Sequence, residues 1–198
     1  LQRVPNSYTA IERDEVAARQ VRSFLSAPQH RCVVGNAQTT GLPAQSASVV
    51  YGEAMLTMQP PATKDQIVGE AARLLRAGGR YGIHELALVP DDLSEPLRSE
   101  IARVFGQTIH HLVQPLTVME WRNLLEQHGM EVQTTLTAPM HLLEPARLVR
   151  DEGLFGAARF VFNVMRHREA RARVRGLRRL FRSYRDHVLA VALVAVKR

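Results

Sequence analysis

Three carboxylates, an asparagine and three histidines lie at or just beyond the ends of short apolar segments, from where side chains reach a bound ligand. Glu12 closes the segment Ser7-Tyr8-Thr9-Ala10-Ile11. A carboxylate at the C-terminal end of a strand can accept both hydroxyl protons of a ribose; the same acid could also lead the next helix in solvent. Asn36 and Ala37 follow Gly35 at the end of a second segment, again a ligand-facing edge, although Gly-Asn is equally an ordinary turn pair. Tyr51, Gly52 and Glu53 close a third. Glycine there leaves room for a ligand, and Glu53 could orient an acceptor group, take its proton, or lie solvated in a turn. His84 and Glu85 are consecutive on a fourth segment, so only one of them can face a given side. A hydrogen-bonded core histidine is expected of His84. His110 and His111 precede a helix start, in a region that should cover the site. Imidazole suits proton removal near neutral pH, while two half-exposed histidines at a helix end would read the same way. No Cys/His/Asp spacing marks a metal site, and Met55, Met58 and Met119 are expected to fill the core.

The elements that must hold these residues alternate. Residues 7–12 read as a strand, followed by a helix capped by Asp14 with Ala17, Val21, Phe24 and Leu25 inward. Arg31–Val34 and Ala47–Tyr51 read as strands around a polar loop. Thr63-Lys64-Asp65-Gln66 has the form of a capping box, opening a helix that buries Ile67, Ala71, Leu74 and Leu75 and stops at Gly78-Gly79. Arg80–Leu88 is the fourth strand. This order predicts an α/β, doubly wound, mostly parallel sheet. A helix marked by Leu97, Ile101, Val104 and Phe105 follows. Thr117-Val118-Met119-Glu120 is a second capping box, starting a helix with Trp121, Leu124 and Leu125 inside and Gly129 at its end. Val132–Leu136 and His187–Val196 are strand-like.

The 198 residues and 45% hydrophobic content suit one globular domain. It divides into a sheet core at 7–92, a helical cover at 93–130, a basic helical insertion at 138–186 and a last strand at 187–198. The single cysteine, Cys32, excludes an internal disulfide and favours the cytoplasm. Charge is segregated: residues 1–146 balance to −3, and residues 147–198 to +10. Arg166, Arg168, Arg171, Arg173, Arg175, Arg178, Arg179, Arg182 and Arg185 surround an apolar face of Val174, Leu177, Leu180, Phe181 and Tyr184. That pattern fits a solvated helix or a contact with an acidic substrate or anionic membrane surface. It disfavours nucleic acid, because no aromatic residues interleave the arginines to stack bases.

Four of these features, in this order, resemble the small-molecule class I S-adenosylmethionine-dependent methyltransferases. They are the acid Glu12 ending a strand; Gly35-Asn36-Ala37 followed by Gly41-Leu42-Pro43 and Ala47-Ser48-Val49-Val50; Glu70, Arg73, Leu74, Leu75 and Gly78-Gly79-Arg80; and Leu116-Thr117 with Glu120-Trp121 and Gly129-Met130. The resemblance spans residues 7–137. It implies a seven-strand sheet with an antiparallel last strand and S-adenosylmethionine as cofactor. Its methyl group would go to a small-molecule or lipid-like acceptor. Glu12 would hold ribose, and Asn36 with Ala37 the adenine. Tyr51 and Gly52 would border the sulfonium, and His110, His111 or Glu85 would face the acceptor. Two departures stand: Asn36 replaces the family's usual aspartate, and no glycine-rich G-x-G-x-G loop precedes Glu12, so the chain reads as N-terminally incomplete. An NAD-type oxidoreductase, an RNA methyltransferase, and a non-enzymatic subunit of the same fold, for example in a homodimer, stay open as alternatives.

Overall fold

The computed structural model describes residues 5–140 and 166–198, with 153, 156, 159 and 162–164 between them. β1 (Tyr8–Glu12) leads to α1 (Glu15–Phe24), and the Asp14 carboxylate caps that helix by accepting from the Ala17 amide at 2.7 Å. The inward face of α1 differs from the one expected. Ala18 is fully buried, whereas Phe24 is 82% exposed at the helix end. β2 (His30–Val34) pairs with β1 in parallel register, Glu12 opposite Val34.

β3 (Ala47–Glu53) begins the larger sheet, followed by α2 (Pro61–Leu74) and β4 (Leu75–Leu88). The capping box expected at Thr63 does not form. Pro60 is the cap residue and Pro61 the first helical one, because proline's fixed φ and missing N–H suit a first turn. Thr63 therefore lies inside the helix, and the Gln66 side chain accepts from Gln38 instead. The helix also stops earlier than Gly78-Gly79. Leu75 already pairs with Ala47, and the ladder resumes at Val49–Arg80, so 76–79 bulge out of it. Gly79 is needed in that bulge: a Cβ there would lie 2.8 Å from the Arg76 carbonyl oxygen.

α3 (Glu95–Ile109), β5 (Leu116–Thr117), α4 (Val118–Gln127) and β6 (Met130–Pro139) follow. The capping box opening α4 forms as expected, with Thr117 and Glu120 each accepting from the other's amide. The expected insertion at 138–186 falls partly outside the described residues. Its described end is α5 (Arg168–Ser183), which leads into β7 (Val188–Lys197).

The larger sheet has the order β3-β4-β7-β6, with β5 beside β4, and β7 runs antiparallel to both neighbours. One continuous seven-strand sheet was expected. The described residues instead form this sheet and a separate β1-β2 pair. Tyr8 and Tyr51 meet across the division, hydroxyl to hydroxyl at 3.0 Å. One face of the larger sheet packs on α2 and α4 around Trp121, whose Nε1 donates to the Leu86 carbonyl at 2.9 Å. A second core joins α3 and α5 over Leu88 and Val188, with Phe105 and Phe181 edge to face at 5.4 Å. Burying side chains of that size contributes roughly 1.5–3 kcal/mol each.

Candidate functional site

The C-terminal ends of β1 and β2 lie side by side, and the Gly35 amide donates to the Glu12 carbonyl at 2.9 Å. Parallel pairing thus brings Glu12, Asn36 and Ala37 to one rim. The Glu12 carboxylate is half-buried and accepts from the Asp14 amide at 3.0 Å. Asn36 is exposed and folds into an Asx turn. Its Oδ1 accepts from the Gln38 amide at 3.1 Å, and its Nδ2 donates to the Gln38 side chain at 2.9 Å. Ala37 packs against the main core.

The loop after this rim is tied to α2. Glu70 accepts from the Thr40 amide at 2.9 Å and from the Thr40 hydroxyl, and pairs with Arg73 at 2.7 Å, while Arg73 also donates to the Leu42 carbonyl. The Arg73 and Thr40 hydrogen bonds outweigh desolvation and hold Glu70 down at about 2. The Glu-x-x-Arg pattern in the sequence is therefore a clamp on residues 40–42.

At the end of β3 the strand turns through Ala54, whose φ of 51° is left-handed. Glu85 secures this turn. Its buried carboxylate accepts from the amides of Met55, Leu56 and Thr57 at 2.8–3.0 Å and from the Thr57 hydroxyl at 2.6 Å. His84 and Glu85 thus exchange the places expected of them. Glu85 is inside, in phase with Tyr81, Ile83 and Ala87, and His84 is half exposed, 3.4 Å from Glu53 on the opposite face. Tyr51 is 63% exposed. The space beside Gly52 is already occupied, because a Cβ there would lie 2.9 Å from the Met55 sulfur. That glycine admits Met55. Met119, expected in the core, is 53% exposed.

Lys64, which the sequence reading passed over, is buried in the same region. It donates to the carbonyls of Gln59 at 2.9 Å and Gln114 at 2.7 Å. Burial pushes it down to about 8, against the pull of Glu85 and Glu120. Its signal was its place in the stripe of Ile67, Ala71 and Leu74. The Gln114 amide donates to Thr57 at 2.8 Å, so residues 54–59 and 113–115 cross above Glu85 and Lys64. Strand register requires this crossing: Glu53 pairs with His84 and Leu116 with Ala87 along one edge of β4.

His110 ends α3 in a left-handed cap with φ 58°, and both His110 and His111 are exposed. With Arg103, Gln107 and Gln114 they line an open depression of about 470 Å³. Gln114 Oε1 is buried and has no hydrogen-bond partner among the described residues. Arg98 fixes the far end of α3 to α4 through a two-pronged pair with Glu120 at 2.8 and 2.9 Å. Burial alone would raise Glu120, but Arg98 and Thr117 outweigh it and hold the carboxyl below its ordinary range. Among the described residues no group of three His, Cys, Asp or Glu could hold a metal ion, and no helix is long and apolar enough to cross a membrane.

Residues 1–83 match the model of a methyltransferase domain family. The full architecture matches a candidate sarcosine dimethylglycine methyltransferase of Galdieria sulphuraria, with TM-score 0.72 and 14% identity over 96% of this chain and 69% of that one. It also matches geranyl diphosphate methyltransferase in complex with SAM, at 0.67 and 13% over 100% and 71%. The chain carries the class I methyltransferase fold. An uncharacterized protein of Haemophilus influenzae is 28% identical over 190 residues, 94% of this chain and 72% of its own length. The same methyltransferase fold also supports other chemistry: the [4+2]-cyclase SpnF matches at 0.62 and 15% over 96% of this chain and 66% of that one.

Proposed function

We propose that this chain transfers the methyl group of S-adenosylmethionine to a small-molecule or lipid-like acceptor. The observation that carries the proposal is the pairing of β1 with β2, which brings the backbone of Glu12 beside Gly35 and the start of the Asn36 turn at the strand ends. The donor set suits a nucleoside. A partly exposed carboxylate accepts from ribose hydroxyls, and Asn36 Oδ1 or the Ala37 backbone can meet the adenine edge once Gln38 yields.

When bound, S-adenosylmethionine supplies an electrophilic methyl group, which an acceptor lone pair displaces in line from sulfur. The chain's own part is alignment and proton removal. His110 or His111 takes the proton that an oxygen or nitrogen acceptor loses. Glu85 and Lys64 act as positioning residues, since their hydrogen bonds hold the crossing from which the depression is built. The similarity of residues 1–83 to a methyltransferase domain supports this reading.

Calorimetric titration of S-adenosylhomocysteine into the protein and a Glu12→Ala variant tests it. The expected result is binding that weakens by about tenfold or more in the variant, as for loss of a charged hydrogen bond. Equal affinities would remove Glu12 from the ribose. Absence of heat in both would favour the alternative that the SpnF likeness supports, a methyltransferase fold used for something other than methyl transfer.

A further inference from the structure

The basic helix α5 lies against α3, and its contacts fix which face is left outward. Tyr184 donates to Glu100 at 2.7 Å, Phe181 meets Phe105, and Gly176 approaches Thr108, so the two helices run antiparallel. Leu177, Leu180, Phe181 and Tyr184 are consumed in that packing. On the opposite side Arg168, Arg175, Arg179 and Arg182 are all exposed. Their spacing of seven, four and three residues aligns them in one stripe about 21 Å long at the helical rise. Because α5 is antiparallel to α3, the N-terminal half of the stripe continues past Thr108 toward His110 and Leu112, the rim of the depression.

We propose that this stripe docks the protein on an anionic lipid surface, with the histidine-lined depression beside the contact. Three observations select a bilayer. A straight row of arginines on a convex helix matches a plane of headgroup phosphates, whereas a nucleic acid is gripped by a groove with aromatic stacking platforms. Two exposed apolar side chains lie at the N-terminal side of the stripe: Leu112, 47% exposed at the rim of the depression, and Phe162, 59% exposed shortly before α5 in the sequence, with Arg166 stacked 5.5 Å over its ring. Such groups insert at the headgroup boundary. Residues 1–146 balance to −3 and residues 147–198 to +10, so attraction to an anionic surface is concentrated in the segment that carries the stripe. The contact is electrostatic, since the apolar side of α5 is already buried. The proposal does not depend on methyl transfer.

The test is co-sedimentation of the protein, without cofactor, with phosphatidylcholine vesicles with and without phosphatidylserine. The wild type is expected to partition only to vesicles containing phosphatidylserine, and less so as salt rises. The combined variant R168Q/R175Q/R179Q/R182Q should lose partition on the order of a thousandfold, since each arginine near the surface is worth about 1 kcal/mol and about 1.4 kcal/mol is tenfold. The matching Arg→Lys set should retain binding within a few fold, which a purely structural role for the guanidinium forks would not allow. Wild-type binding to the glutamine set's level, equal binding to both vesicle types, loss in the lysine set as complete as in the glutamine set, or preference for single-stranded RNA over the vesicles at equal salt would each overturn the proposal.

Discussion

Glu12 and Glu85 both lie near the C-terminal ends of parallel strands, yet they occupy opposite situations. Glu12 is half-buried and accepts one backbone amide in its own turn. Glu85 is buried and accepts four donors from the loop after β3. A carboxylate with unused acceptor positions near solvent can exchange water for ligand hydroxyls. One saturated by buried amides cannot do so without stranding those amides. Position at a strand end is therefore insufficient to mark a binding group; the number of donors already committed to it decides.

Substitution of each acid sharpens the contrast. Glu85→Ala leaves three amides and a hydroxyl without their acceptor, and should destabilise the fold by about 3 kcal/mol or more, read from urea unfolding. Glu12→Ala should cost under about 0.5 kcal/mol in the same assay while weakening ligand binding. Comparable stability losses would erase the distinction. Lys64, beneath the same loop, gives the next effect. With a folded value of about 8 against the ordinary 10.5, the unfolded chain holds more protons between those pH values. This group's contribution to stability therefore rises with pH through that window, on the order of 1–2 kcal/mol. Lys64→Met should abolish the rise in the urea midpoint. Glu70 has the opposite sign. Held at about 2, it contributes stability present above its ordinary 4.5 and lost as pH falls toward 2. Glu70→Gln should remove about 1–2 kcal/mol of that acid dependence and speed amide exchange at Thr40. Tyr8→Phe, which deletes the hydroxyl contact with Tyr51, should cost under about 1 kcal/mol.

Much of the scaffold was legible in the sequence, for identifiable reasons. Asp14 and the Thr117/Glu120 box act through contacts three residues apart, which spacing alone encodes. The parallel strands followed from the βα alternation. At Thr63 a local signal of the same kind failed because Pro60-Pro61 began the helix first. The site was less legible. The alternation Tyr81, Ile83, Glu85, Ala87 puts Glu85 inside, whereas a core position was expected of His84, and burying a carboxylate is costly unless it is paired. Only donors from a loop some thirty residues away offset that cost. Lys64 stayed hidden for the same reason, its carbonyl partner at Gln114 lying fifty positions on. Phe24, inward by periodicity, is exposed because α1 contacts the fold through Ala18.

Amide resonances followed during titration with S-adenosylhomocysteine test the central distinction most directly. Ligand at the strand-end rim should move Gly35, Asn36 and Ala37 together in a saturable way, while Met55, Leu56 and Thr57, held by Glu85, stay nearly fixed. Saturable shifts at 55–57 with none at 35–37 would place the nucleoside elsewhere and contradict the account.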